Sequence, residues 1–290
     1  MKIPLIIACA ALLAAPFVSA QPKPPEVTPL SLPDAETHTV TETDGDPVLI
    51  HIVKPKDWKP TDRRPGFMWF FGGGFVRGTP DKSIGWARSA ARKGMVGIAP
   101  DYRTVSRWPG VDARAGLADA RAALRWVQDH ADELGIDPEK IVVGGGSAGG
   151  GVALWTAITD SPPGLVPDLP PLHKPAALIL SFPASDVSKA TGMRGNRFGK
   201  LDTDAYSPLQ HLDKVMPPTF LLHGDADTVV PYAHSVALHA ALTANGNVCE
   251  FVTVPGGTHK ISQEMPEWKK KIPQLHQAFL ENLGLLPVKP

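Results

Sequence analysis

Short runs of unbroken apolar residues alternate along the chain with longer stretches whose apolar positions recur every three or four residues. Two strand-like runs come first, Thr37 to Glu42 and Val48 to Val53, on either side of Asp44-Gly45. That dipeptide favours the tight turn of a hairpin. Phe67 to Phe71, Met95 to Ala99, Ile141 to Val143, Ala177 to Ser181, Thr219 to His223 and Cys249 to Val254 follow. Their continuous apolarity predicts strands buried on both faces of a parallel sheet. Between them, Asp112 to Leu134 carries Leu117, Ala120, Leu124, Val127, Ala131 and Leu134 on one helical stripe, and Gly135 stops it. Tyr232 to Ala244 and Glu267 to Leu283 predict further helices from weaker patterns. A hairpin followed by strand–helix alternation is the α/β class, with a mostly parallel central sheet, an N-terminal antiparallel hairpin and helices on both faces.

Two stretches break this rhythm. Residues 159–176 are rich in Pro and Gly, and residues 188–206 are polar and Gly-containing. Both flank the strand at Ala177, and both are expected to run over the C-terminal edge of the sheet, where such folds bind ligands. The N-terminus has a different character. Lys2 precedes an almost wholly apolar segment from Ile3 to Val18, and Val18-Ser19-Ala20 is a small-residue cleavage site. Residues 1–20 are therefore expected to be a signal peptide that exports the protein to the periplasm or beyond. Pro4 and Pro16 leave too short a helix to span a bilayer, so no stable membrane insertion is expected after cleavage. Residues 21–33 are proline-rich and read as a flexible leader, and 34–290 as a single domain.

Composition narrows the partners. The 290 residues are 43% hydrophobic, and Lys plus Arg balance Asp plus Glu at 29 each. No basic block interleaves with aromatics, which argues against nucleic acid. Cys9 would leave with the signal, and Cys249, alone in an apolar strand, is expected to pack in the core. No H-E-x-x-H motif and no paired cysteines occur, so neither a metal nor a cofactor is implied.

The chemistry lies at strand ends. Gly145-Gly146-Ser147-Ala148-Gly149 follows the Ile141 strand and precedes a helix-like apolar run. This G-x-S-x-G arrangement puts a serine on a strained turn with its hydroxyl exposed. The same run contains G-x-G-x-x-G (Gly144, Gly146, Gly149), with Asp168 at the distance of a ribose-binding acid. Asp168, however, sits among prolines and not at a strand end, and a hairpin and strands precede the motif, so context favours the nucleophile. Gly72-Gly73-Gly74 follows the Phe67 strand and can present backbone N–H groups to an oxyanion, with the N–H of Ala148 completing the hole. An acid after the Thr219 strand and His259 after the last strand can meet Ser147 at one sheet edge, in the order Ser, Asp, His. By position alone Asp225, Asp227 and Asp186 all compete as the acid.

Taken together, Phe71-Gly-Gly-Gly-Phe75, Pro100-Asp-Tyr-Arg103, Leu134-Gly-Ile-Asp-Pro138, Gly144 to Gly150, His223-Gly-Asp-Ala-Asp227 with Val230-Pro231, and Gly257-Thr-His259 carry a family resemblance. The chain resembles the α/β-hydrolase esterases of the hormone-sensitive-lipase and acetyl-esterase type, and more closely their secreted carbohydrate-esterase-like branch. The resemblance implies Ser147 as nucleophile, Asp227 as orienting acid, His259 as base, and Gly73, Gly74 and Ala148 as oxyanion-hole donors. It implies hydrolysis of carboxylic esters of a small molecule or a carbohydrate through an acyl-enzyme. The short proline-rich segment from Ser161 to Pro175, where the family often carries a larger lid, is expected to favour short acyl groups. Phe71 stands where the family often has histidine, so packing must hold the glycine loop. Asp101, Tyr102 and Arg103 read as a structural network. Two rival functions share this fold: a serine peptidase related to prolyl oligopeptidases, whose extra propeller domain this chain is too short to contain, and a non-catalytic binding protein.

Overall fold

The computed structural model describes residues 27, 29–43, 46–159, 171–188 and 203–286. The signal segment, most of the leader, the expected turn at Asp44-Gly45, Asp168 and the central parts of both excursions lie outside the described residues.

The eight apolar or alternating runs all become strands of one sheet. They are β1 (Glu36–Thr43), β2 (Asp46–Val53), β3 (Arg64–Phe70) and β4 (Val96–Pro100). The remainder are β5 (Ile136–Gly146), β6 (Ala177–Ser181), β7 (Thr219–Gly224) and β8 (Cys249–Val254). Their spatial order is β1-β2-β4-β3-β5-β6-β7-β8. β1 pairs antiparallel with β2, and β2 with β4, whereas β4, β3 and β5 to β8 run parallel.

Unbroken apolarity follows from a sheet covered on both faces. Met68, Phe70, Ile98, Val143 and Leu180 pack with α2 (Ala113–Asp129), α4 (Ala148–Trp155) and α5 (Ala233–Ala244). Their sequence neighbours Phe67, Trp69, Val142 and Ile179 face the other way, onto Ala90 of α1 (Ile84–Ala91) and onto α7 (Pro266–Asn282). Successive residues of one strand thus serve two separate cores, as the two-residue strand period requires. Cys249 sits half-buried on the outer strand β8, where burial pushes its thiol up to about 12.

The structure departs from the expected elements in a few places. The long helix expected over 112–134 breaks at His130, whose φ of −105° and ψ of 19° end α2 and begin the single turn α3 (Ala131–Leu134). Asp112 caps α2 through its side chain, which accepts from the N–H of Arg114. β5 begins at Ile136, well before the apolar core of the strand, because Ile136 pairs with Arg64 of β3. A short helix, α6 (Ile261–Glu264), follows His259 and had no periodic signal of its own.

The described ends of the first excursion are anchored by polar side chains. Thr159 is held by Asp213, and Leu172 and His173 by the side chain of Gln128 near the end of α2. Both ends lie at the N-terminal edge of the parallel strands, because α4 runs from Ser147 back across the sheet and β6 starts again from that edge. They therefore lie opposite Ser147 and not above it.

Candidate active site

The strand order decides where chemistry can happen. From β3 the chain moves outward to β4 and then returns to place β5 on β3's other side, so β3 and β5 flank the point where the winding reverses. Loops leaving the C-terminal ends of two such strands diverge and open a crevice. Phe70 and Gly145 are register partners across this pair. The Gly72–Gly74 loop and Ser147 consequently emerge side by side.

Ser147 turns sharply out of β5 with φ 57° and ψ −125°. A residue with a Cβ is strained there. Its N–H donates to the carbonyl of Ser181, and its own carbonyl accepts from Gly150 and Ala184, so the surroundings enforce the turn. The turn closes only because backbones nearly touch. A Cβ on Gly145 would lie 2.3 Å from the carbonyl oxygen of Gly149, and one on Gly149 would lie 2.4 Å from that of Phe70. Gly145, and Gly149 of the dinucleotide-like run, are thus needed for the backbones to pass this closely.

The structure brings three of the predicted residues into one relay. His259 Nε2 lies 3.1 Å from Ser147 Oγ, and His259 Nδ1 lies 2.7 Å from Asp227 Oδ2. Asp227 is buried, and its Oδ1 accepts the N–H groups of Val229 and Val230 at 2.8 and 3.0 Å. Burial pushes its carboxyl up. Hydrogen bonds from His223, His259 and those two backbone groups outweigh burial and hold it well below the usual carboxylate range. The other two acids are engaged elsewhere. Asp186 Oδ1 accepts from the Ser188 N–H and the Ser207 hydroxyl, and Asp225 Oδ1 accepts from the Gly256 N–H.

Two residues of this constellation carried no assigned role in the sequence. His223 is fully buried, with Nδ1 2.7 Å from Ser235 Oγ. Its Nε2 lies 3.1 Å from the Val230 carbonyl and 3.3 Å from Asp227 Oδ2. Both of these are acceptors, so Nε2 carries the proton and Nδ1 accepts from the serine hydroxyl. The signal for His223 was its place at the head of the His-Gly-Asp-Ala-Asp run. Phe182, at a strained φ of 39°, sets its ring 4.7 Å from that of His259. Nothing in its neighbours announces it except its position just after β6.

The glycine loop faces the serine. Gly73 and Gly74 have φ of 142° and 66°, and a Cβ on Gly73 would fall 1.8 Å from the Arg77 carbonyl oxygen. Among the described residues the N–H groups of Gly73, Gly74 and Ala148 donate to no protein acceptor, and all three residues line the same cleft as Ser147 and His259. Packing holds the loop where histidine is missing. Tyr102 stacks on Phe71 at 4.2 Å between ring centroids, and its hydroxyl donates to the Phe71 carbonyl. The buried Arg107 bridges Asp101 and the Gly78 carbonyl, and Arg103 forks onto the buried Asp119. Asp101, Tyr102 and Arg103 thus form the expected structural network. Among the described residues no cluster of His, Cys, Asp or Glu could hold a metal ion, and no helix is long and apolar enough to cross a membrane.

The sequence matches the family described as the alpha/beta hydrolase fold over residues 67–263. The chain belongs to the α/β-hydrolase fold family. Carboxylesterase NlhH of Mycobacterium tuberculosis is 31% identical over 259 residues, covering 83% of this chain and 76% of that protein. Esterase LipQ of the same species is 26% identical over 230 residues, and there the chain spans about half the relative's length, 53%. Esterase 2 of Thermogutta terrifontis, phosphoramylated by tabun, superposes with a TM-score of 0.81 at 35% identity, covering 89% of this chain and 98% of that one. The same esterase with propionate bound gives 0.78 at 36% identity, covering 89% and 97%. Family, site geometry and relatives agree on the reaction class, carboxylic ester hydrolysis.

Proposed function

We propose that this chain hydrolyses short-acyl carboxylic esters through a covalent acyl-enzyme on Ser147. The observation that carries the reading is the hydrogen-bonded line Ser147–His259–Asp227 beside three unpaired N–H groups. In this mechanism His259 Nε2 takes the Ser147 proton as Oγ attacks the ester carbonyl. The tetrahedral oxyanion is held by the N–H groups of Gly73, Gly74 and Ala148, each worth roughly 3–4 kcal/mol of barrier. His259 then hands its proton to the departing alkoxide. Water, deprotonated by the same nitrogen, attacks the acyl carbonyl and regenerates Ser147. Asp227 fixes the Nδ1–H tautomer and steadies the imidazolium, while His223 and two backbone donors keep Asp227 ionised and aimed.

The short-acyl preference is supported by the propionate bound to the Thermogutta esterase. The carbohydrate-borne acetyl ester remains one arm of its test. That test is a panel of 4-nitrophenyl esters from acetyl to decanoyl, with acetylated sugars and a matched amide. Acetyl to butyryl esters are expected to give the highest kcat/KM, and a better value for decanoate would overturn the preference. A fluorophosphonate probe is expected to label Ser147. Turnover without such labelling would remove the acyl-enzyme, and no turnover at all would leave a binding protein. Export rests on the N-terminal segment alone. N-terminal sequencing of the protein released by its natural host is expected to start at Gln21, and a start at Met1 would refute it.

A further inference from the structure

The cleft above Ser147 is larger than the relay needs, with a cavity of about 880 Å³ reaching between α1 and α7. Its extension has two chemical features. The first is a flat apolar wall. Trp86 lines it and is stacked on Trp69 at 4.4 Å between centroids, with Ile272 and Pro273 of α7 also on the lining. The second is charge of one sign. Arg77, Lys82 and Lys269 line the cleft, and no Asp or Glu does.

This bias is local, because acidic and basic residues balance over the whole chain. Lys82 shares its charge with Asp81 at 2.9 Å, an exposed pair that neutralises part of it. Arg77 and Lys269, both exposed, make no ion pair among the described residues. Asp227 offsets them only in part, since it is buried behind His259 and does not itself line the cleft. A concave site with low-dielectric walls and one sign of charge focuses its field and concentrates ligands of the opposite sign.

We propose that the preferred substrates of this cleft are anionic esters: a short apolar or aromatic body, lying along Trp86, that ends in a negatively charged group met by Arg77 and Lys269 with help from Lys82. The inference rests on the esterase reading of Ser147 and names its substrate class. A charged ring on the alcohol side and a carboxylate at the end of the acyl chain present the same chemistry to the rim, so the test includes both.

The experiment uses two matched pairs of esters. In one, 4-acetoxybenzoate is compared with its neutral methyl ester. In the other, 4-nitrophenyl hemiglutarate is compared with 4-nitrophenyl methyl glutarate. Each kcat/KM is divided by the hydroxide-catalysed rate of the same compound, to remove intrinsic reactivity. In at least one pair the anionic member is expected to lead by about fivefold or more at low salt, and the lead to shrink at ~500 mM salt. The pair that shows it identifies the side of the ester that faces the rim. In an Arg77→Gln/Lys269→Gln double variant the anionic-to-neutral ratio is expected to collapse towards one. Both side chains are exposed, so the variant is expected to fold, and its melting temperature checks this. Turnover of the neutral esters with no anionic advantage, or an advantage that survives in the folded double variant, overturns this inference alone. No turnover of any member overturns the esterase reading and this inference with it.

Discussion

Ser147 holds a backbone conformation that side chains rarely tolerate, and the fold maintains it through hydrogen bonds from neighbouring loops. Such strain costs on the order of 1–3 kcal/mol. Ser147→Ala keeps the strain and Ser147→Gly relieves it, with part of the gain lost to the unfolded chain's extra freedom. Both variants are expected to lose ester turnover by several orders of magnitude, and the glycine variant to melt higher than the alanine one. Equal melting temperatures would show that the turn is not strained. At the acid, Asp227→Asn is expected to cost on the order of 10⁴-fold in kcat with little change in KM. Asp186→Asn and Asp225→Asn should each cost less than about tenfold, because their carboxylates accept hydrogen bonds from loop groups and touch neither histidine. A mild Asp227→Asn would break the proposed relay. Ser147 and His259 were legible because a strained turn and the strand-end order leave marks in the sequence. Position alone did not separate the three acids, since each follows a strand at the same edge. Only the family pattern favoured Asp227, and the 2.7 Å contact with His259 distinguishes it in the structure.

At the scale of elements, the Gly72–Gly74 loop is only as firm as what lies beneath it. Phe71 is 2% exposed, with Tyr102 stacked on it. Phe71→Ala is expected to destabilise the fold by roughly 3–5 kcal/mol through the cavity it leaves. Activity per folded molecule at low temperature should fall much less, because the oxyanion donors are backbone groups. An unchanged melting temperature would refute this account. Strands were the most legible elements, since burial on both faces leaves an unbroken apolar run in inner strands such as β4, β6 and β7, and the first hairpin strand, β1, alternates. The break at His130 was not legible, because the apolar stripe continues across it, from Leu124 and Val127 before it to Ala131 and Leu134 after it. α6 was missed for a different reason: four residues are too few to show a period.

Across the whole molecule, several buried histidines oppose protonation. Burial lowers His276 to about 3 and His51 to about 4, and it lowers His234 as well. His276 is enclosed by Trp69, Trp86 and Phe220, and neither ring nitrogen has a partner among the described residues. Between these values and the ordinary histidine value near 6.5 the unfolded chain binds more protons, so stability rises with pH across that window. Thermal melts are therefore expected to fall steadily as pH drops from about 6.5 towards 4. The lowered Asp227 acts further down: its contribution is present above the unfolded carboxylate value near 3.8 and is lost as pH falls below it. His276→Phe should raise the melting temperature more at pH ~5 than at pH ~8. An equal gain at both would mean that this ring does not titrate on unfolding.

The outer strand β8 offers a practical opening. Cys249 is the only cysteine among the described residues, and a thiol pushed up to about 12 holds only a trace of thiolate at neutral pH. Maleimide and iodoacetamide reagents should pass it by. A chain starting at Gln21 then behaves as a cysteine-free background without any residue being replaced. Val229 is 56% exposed on the cleft lining, so Val229→Cys would offer an accessible attachment point for a dye. Such a dye would report, as a change in emission, each ester that enters.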